Sequence, residues 1–87
     1  MKKLYDNLPT LDLHTENRIT ARILVEDFIR DHFKIGNNKI LIIHGIGAGI
    51  LRKEVHKVLK KSNLVLNYQI NIFNFGSTII ELKSNRL

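Results

Sequence analysis

Lys39-Ile40-Leu41-Ile42-Ile43-His44-Gly45-Ile46-Gly47-Ala48-Gly49-Ile50-Leu51-Arg52 is the stretch on which the fold turns. Its first part, Ile40 to Ile43, is an apolar run rich in β-branched residues, with Asn37-Asn38 before it and glycine after it. That pattern predicts a strand buried on both faces, as in a parallel sheet covered by helices. Three glycines at alternate positions, Gly45, Gly47 and Gly49, then lead into a helical pattern that opens at Leu51. A strand that runs through glycines into a helix N-terminus leaves unpaired backbone N–H groups there, and the helix dipole favours an anion, typically phosphate. His44 and Arg52 flank the turn, one an ionisable ring and the other a fixed cation.

Before this stretch, Pro9 ends a short N-terminal arm of residues 1–8. A first strand is expected over Thr10–His14, with Leu11 and Leu13 on one face and Asp12 and His14 on the other. Asn17 suits the N-cap of a helix over about Arg18 to Phe33. Ala21, Leu24, Val25, Phe28 and Phe33 form its expected buried stripe, and Arg22, Glu26 and Arg30 a solvated face with helical ion pairs. After it, a second helix from Gly49 or Ile50 to Lys61 buries Leu51, Val55, Val58 and Leu59. A strand over Val65–Phe73 alternates polar and apolar residues, which indicates one wet face or an edge position. Asn74-Phe75-Gly76-Ser77 is a hairpin-turn candidate, returning into a strand over Thr78–Leu82.

The element order is β-α-β-α-β-β. Right-handed crossovers make the first three strands parallel, and the hairpin adds an antiparallel one. The fold class is therefore α/β, a mixed four-stranded sheet with two helices on one face. The chain of 87 residues suffices for a single domain, expected over residues 9–83 with a C-terminal tail at 84–87.

Composition narrows the function. With 44% hydrophobic residues there is enough apolar material for a sheet packed on helices. There is no cysteine, so neither a disulfide framework nor a thiolate zinc site can form. No apolar run approaches the roughly 18 residues that a membrane span needs. The N-terminus lacks the apolar segment of a signal peptide, and a cytoplasmic location is the expectation. Lys and Arg number 14 against 8 acidic residues, a formal charge of +6. Such a bias selects polyanionic partners, nucleic acid first.

In a parallel sheet, ligands collect at the carboxyl ends of the strands. His14 and His44 end the first two strands, so the topology gathers Asp12, His14, His44, the glycine turn and Arg52 at one edge. An anion cradle, a cation and imidazoles that exchange protons near neutral pH are the parts of phosphodiester chemistry. Asp12, His14 and His44 are the candidate catalytic residues. Gly45, Gly47, Gly49 and Arg52, with Lys53 and Lys57 on the basic second helix, are the candidate phosphate-binding ones. His32 and His56, in mid-helix, are expected at the surface or partly packed. The chain has neither a P-loop nor the third glycine of a dinucleotide fingerprint, and no H-E-x-x-H motif marks a metal site. No metal or cofactor is expected.

Leu11-Asp12-Leu13-His14, followed about 30 residues later by His44-Gly45-Ile46-Gly47-Ala48-Gly49-Ile50-Leu51-Arg52, resembles the small MutS-related (Smr) domain. Gly76-Ser77-Thr78-Ile79-Ile80-Glu81-Leu82 is similar to that family's closing turn and strand. The likeness spans residues 9 to 83 and departs from the family pattern at Thr15, where a glycine is usual. The resemblance implies a two-layer α/β sandwich like the C-terminal domain of a bacterial translation initiation factor. It also implies nucleic-acid binding and, in several members, endonuclease activity on DNA or RNA with little or no dependence on metal. Asp12 and His14 match the first motif; His44, Gly45, Gly47, Gly49 and Arg52 match the second. The expected function is cleavage of DNA or RNA at the glycine turn, the alternative being a non-catalytic module that binds nucleic acid or the ribosome. No membrane partner is expected.

Overall fold

The structure, a computed structural model, describes residues 7–85. Residues 1–6 of the expected arm and residues 86–87 of the expected tail lie outside the described residues. Six elements follow one another: β1 (Thr10–Asp12), α1 (Arg18–Lys34), β2 (Lys39–Ile43), α2 (Ile50–Lys61), β3 (Val65–Ile70) and β4 (Ser77–Leu82). The sheet order is β1-β2-β4-β3, with β1 and β2 parallel and β4 antiparallel to both of its neighbours. The first three strands therefore share a direction, as expected, but β4 is inserted between β2 and β3. Composition explains the placement. In β4 all but Glu81 are buried, which suits the interior, whereas β3 alternates between half-buried and exposed residues and lies at the edge.

Both helices cover one face of the sheet. Ala21, Val25 and Ile29 from α1 and Val55, Val58 and Leu59 from α2 share a core with Ile40, Ile42, Ile80 and Leu82. The expectation that β2 is buried on both faces is corrected: Ile40 and Ile42 are buried, but Leu41 and Ile43 point to the uncovered face and are half-buried. Two helices suffice to cover one layer only. Ile29 joins the buried stripe of α1, while Leu24, Phe28 and Phe33 pack at its margin. The ion pair on this helix joins Arg30 to Asp27 rather than to Glu26.

Local chemistry sets the element ends. The Asn17 side chain accepts from the Thr20 N–H at 2.9 Å and caps α1. Gly36, at φ 86°, turns the chain out of that helix. The Asn85 side chain donates to the Phe33 and Lys34 carbonyls at 2.9 and 3.0 Å, tying the segment after β4 to the α1 C-terminus. β1 is shorter than expected: after Asp12, the Leu13 N–H reaches the Ile43 carbonyl at 2.7 Å, but the His14 N–H turns to the Asp12 carboxylate. β3 stops at Ile70 rather than Phe73, because Asn71 turns inward and its side chain accepts from the Phe73 N–H at 3.0 Å.

Ile80 is fully buried at the centre of this core. Ile80→Ala is expected to destabilise the domain by about 3–4 kcal/mol in urea unfolding, and Ile80→Val by about 1 kcal/mol. A loss below about 1 kcal/mol for the alanine variant would contradict the assigned core.

Candidate functional site

β1 and β2 are adjacent and parallel, with Asp12 opposite Ile43, so their carboxyl ends lie side by side. Asp12 Oδ1 stands 2.6 Å from His14 Nδ1 and accepts the His14 backbone N–H at 3.1 Å. The bond from the His14 ring, and then that backbone bond, hold the Asp12 carboxyl below the usual carboxylate range. An ionised carboxylate only accepts, so Nδ1 carries a proton, and in the corresponding neutral tautomer Nε2 is the bare acceptor. The ring is solvent-accessible. An oriented imidazole at the surface is the result. Thr15 is exposed, and no described residue other than glycine takes a positive φ, so this threonine requires no unusual backbone.

The glycine turn is built against this pair. The His44 and Gly45 N–H groups both donate to the Gly76 carbonyl, each at 2.9 Å. Gly45 adopts φ 85°, a conformation that L side chains rarely take. Gly49, at φ 83°, is the N-cap of α2 and supplies no side-chain cap. The first backbone bond of that helix runs from the Lys53 N–H to the Gly49 carbonyl. Among the described residues no acceptor takes the N–H groups of Ile50, Leu51 and Arg52. Arg52 folds back toward them: a Cβ at Gly49 would lie 3.0 Å from its Nη2. Unpaired N–H groups, a helix N-terminus and a guanidinium thus converge on one spot suited to an anion.

A cleft of about 360 Å³ lies here, lined by His14, His44 and the turn from Gly45 to Leu51. A larger concavity, about 1020 Å³, lies between α1 and α2 and is lined by Arg18, Arg22, Lys57 and Lys61 among others. Size does not decide between them, because the larger one holds neither the Asp12–His14 pair nor open backbone donors. Of the residues singled out in the sequence, the structure brings together Asp12, His14, His44, the three glycines and Arg52. Lys57 lies beside the interhelical groove, 4.0 Å from Glu54, and the exposed Lys53 lines neither cavity. Among the described residues, no three His, Asp or Glu side chains cluster as metal ligands.

His44 has a different environment from the one its strand-end position suggests. It is only 4% exposed. Its Nδ1 lies 3.0 Å from the Gly45 carbonyl and its Nε2 2.8 Å from Thr78 Oγ1, while His56 Nε2 lies 2.7 Å from the same hydroxyl. A carbonyl only accepts, so His44 carries its proton on Nδ1. Thr78 must then donate to His44 Nε2 and accept from His56 Nε2–H. Both nitrogens of His44 are occupied, so it braces the turn and has none left for a bound phosphate. His56, expected at the surface or partly packed, is half-buried against Tyr68, with ring centroids 5.1 Å apart. One signal for this relay was present in the sequence: period-two alternation places Thr78 on the same face as Ile80 and Leu82, where a hydroxyl requires a partner.

Burial holds the His44 imidazole below its usual pKa, with repulsion from Arg52 adding to the effect. Burial, then His44 and Arg52, do the same for His56. Between the lowered folded values and the unfolded value near 6.5, the unfolded chain binds more protons. Stability is therefore expected to fall as pH drops below about 6.5, and to fall further below 3.8 as Asp12 is protonated. Thr78→Val leaves Nε2 of the buried His44 and of the half-buried His56 without this partner and is expected to cost about 1–3 kcal/mol, with Thr78→Ser milder. Urea unfolding at pH 5 and 7.5 checks both. Equal wild-type stability at the two pH values, or a silent valine variant, would contradict the relay.

Comparison with known proteins bears on the same residues. The Smr domain model matches residues 11–83. Endonuclease MutS2 of Halothermothrix orenii is 40% identical over 79 residues, which are 87% of this chain and 10% of that protein. Endonuclease MutS2 of a Geobacillus species is 41% identical over 76 residues, 84% of this chain and 10% of that protein. The chain thus spans about a tenth of the length of these curated relatives. The Smr domain of Thermus thermophilus MutS2 superposes with a TM-score of 0.84 at 20% identity, over 87% of this chain and 99% of that one, a likeness of fold. YdaL, a stand-alone small MutS-related protein from Escherichia coli, superposes with a TM-score of 0.82 at 25% identity, over 86% and 64% respectively. A family model covering both the Asp12–His14 pair and the glycine turn settles the relationship: the chain belongs to the Smr domain family.

Proposed function

We propose that this chain binds nucleic acid at the glycine turn and cleaves it as an endonuclease. The observation that carries this reading is the Asp12–His14 pair set beside an open helix N-terminus, in a chain of net charge +6. A backbone phosphate sits on the N–H groups at the start of α2, with the Arg52 guanidinium over it. Asp12 fixes the tautomer of His14, whose Nε2 takes a proton from the attacking oxygen. That oxygen belongs to water, or in RNA to the 2′-hydroxyl next to the scissile phosphate. As the new P–O bond forms, the bond from phosphorus to the leaving sugar oxygen breaks and that oxygen takes a proton from solvent, while the negative charge developing on the phosphoryl oxygens is met by donors already in place, which lowers the barrier without reorganisation. His44 serves by holding the turn. Relatives with the name endonuclease support the same chemistry, and the basic surface supports a polyanionic substrate.

Cleavage of end-labelled RNA and branched DNA, with a chelator present, tests the proposal. His14→Ala is expected to lower the cleavage rate by about 10²–10⁴-fold, the usual contribution of a positioned base, while binding persists. Binding itself is expected to weaken steeply with salt, as phosphate contacts release counterions. Arg52→Gln is expected to weaken it further at any fixed salt. Cleavage unchanged in His14→Ala would overturn the assigned base. No cleavage by the wild type, with salt-sensitive binding retained, would leave a non-catalytic binding module.

A further inference from the structure

The loop joining β3 to β4 inverts the usual sorting of side chains. Asn71 and Ser77 are buried, at 6% and 0% exposure, while Ile72 and Phe75 stand 75% and 63% exposed. Buried polar groups need a reason, and so does a concentration of large exposed apolar ones. The polar groups hold the loop from inside. The Asn71 and Asn74 carboxamide oxygens accept from the Phe73 and Gly76 N–H groups, each at 3.0 Å. Asn71 Nδ2 donates to Ser77 Oγ at 3.2 Å, and Ser77 Oγ donates to the Asn74 carbonyl at 2.8 Å. The outcome is a braced platform whose apolar side chains face water.

The platform adjoins the cleft. Gly76, next to Phe75, receives the His44 and Gly45 N–H groups, and a Cβ placed on it would lie 3.2 Å from Ile46 Cγ1. Ile46 is itself 71% exposed and lines the cleft. An apolar surface at the rim of an anion cradle fits a ligand that is charged at one end and flat and apolar at the other. A nucleotide unit has that form. Within a duplex its base faces are covered by stacked neighbours, so only an unpaired base offers one to an aromatic ring.

We propose that Phe75, with Ile46 and Ile72, stacks on an unpaired base adjoining the phosphate held in the glycine turn. The chain then selects single-stranded or extruded nucleotides over continuous duplex. This inference rests on the glycine turn being a nucleic-acid phosphate site.

Phe75→Ala is expected to weaken binding of a single-stranded oligonucleotide by about 5- to 150-fold, the value of one stacked base. Its salt dependence and the binding of a blunt duplex of the same sequence should stay unchanged. The chain contains no tryptophan, so Phe75→Trp places a single fluorescent reporter on the platform. That variant is expected to retain affinity, with its emission quenched by the single strand but not by a strand of the same length carrying abasic sites. If Phe75→Ala binds the single strand as tightly as wild type, the stacking site is wrong while the phosphate site stands. If the wild type binds no nucleic acid, both fail. If sedimentation shows that Phe75→Ala disrupts a dimer and leaves nucleic-acid affinity unaltered, the platform belongs to a second copy of the chain and the proposal falls.

Discussion

The Gly76 carbonyl oxygen, accepting the His44 and Gly45 N–H groups at 2.9 Å each, holds the functional edge of the sheet together. It fixes how the chain leaves β2, and with it the left-handed φ of Gly45. From there the next residues lead into α2 with its first N–H groups open to solvent. On the other side the same glycine leads into β4, whose Thr78 bonds the buried His44 and the half-buried His56. A side chain at position 76 would press to 3.2 Å against the Gly45 carbonyl carbon. Turn, strand and core therefore share one anchor.

The histidines at this edge divide the work according to burial. His14 is at the surface, held by a carboxylate through one nitrogen and open at the other, and so is equipped to move a proton. His44 is buried, bonded through both nitrogens and kept neutral by its surroundings. Adjacent strand ends thus carry one imidazole open to solvent and one bonded through both nitrogens. The interior relay also limits how the turn can deform, because shifting β2 against β4 would leave a buried imidazole without its partner, at a cost of about 1–3 kcal/mol.

Much of this was legible in the chain. Glycines at 45, 47 and 49 after a β-branched run announced a strand, a turn and a helix N-terminus, and these are local features. Asn17 announced its cap in the same way. The insertion of β4 between β2 and β3 was not legible, because pairing partners are chosen by long-range burial and not by neighbours in sequence. His56 is partly packed, as expected, but its bond to Thr78 was not legible for a related reason: the two lie 22 residues apart, and their meeting depends on helix phase and strand register together. The expected two-sided burial of β2 failed because an apolar run does not reveal how many layers the rest of the chain can supply. The loop after Ile70 was hidden by its composition, since Ile72 and Phe73 extend a strand pattern that Asn71 breaks.

Two concavities compete for a polyanion on this surface, the glycine cleft and the groove between the helices. The most direct measurement is the shift of backbone amide NMR signals on titrating the protein with a short phosphodiester-linked dinucleotide. Perturbations concentrated on the amides of residues 46–52 and of His14 are expected. Perturbations centred on Arg18, Arg22 and Lys61, with the glycine turn unmoved, would contradict the proposed site.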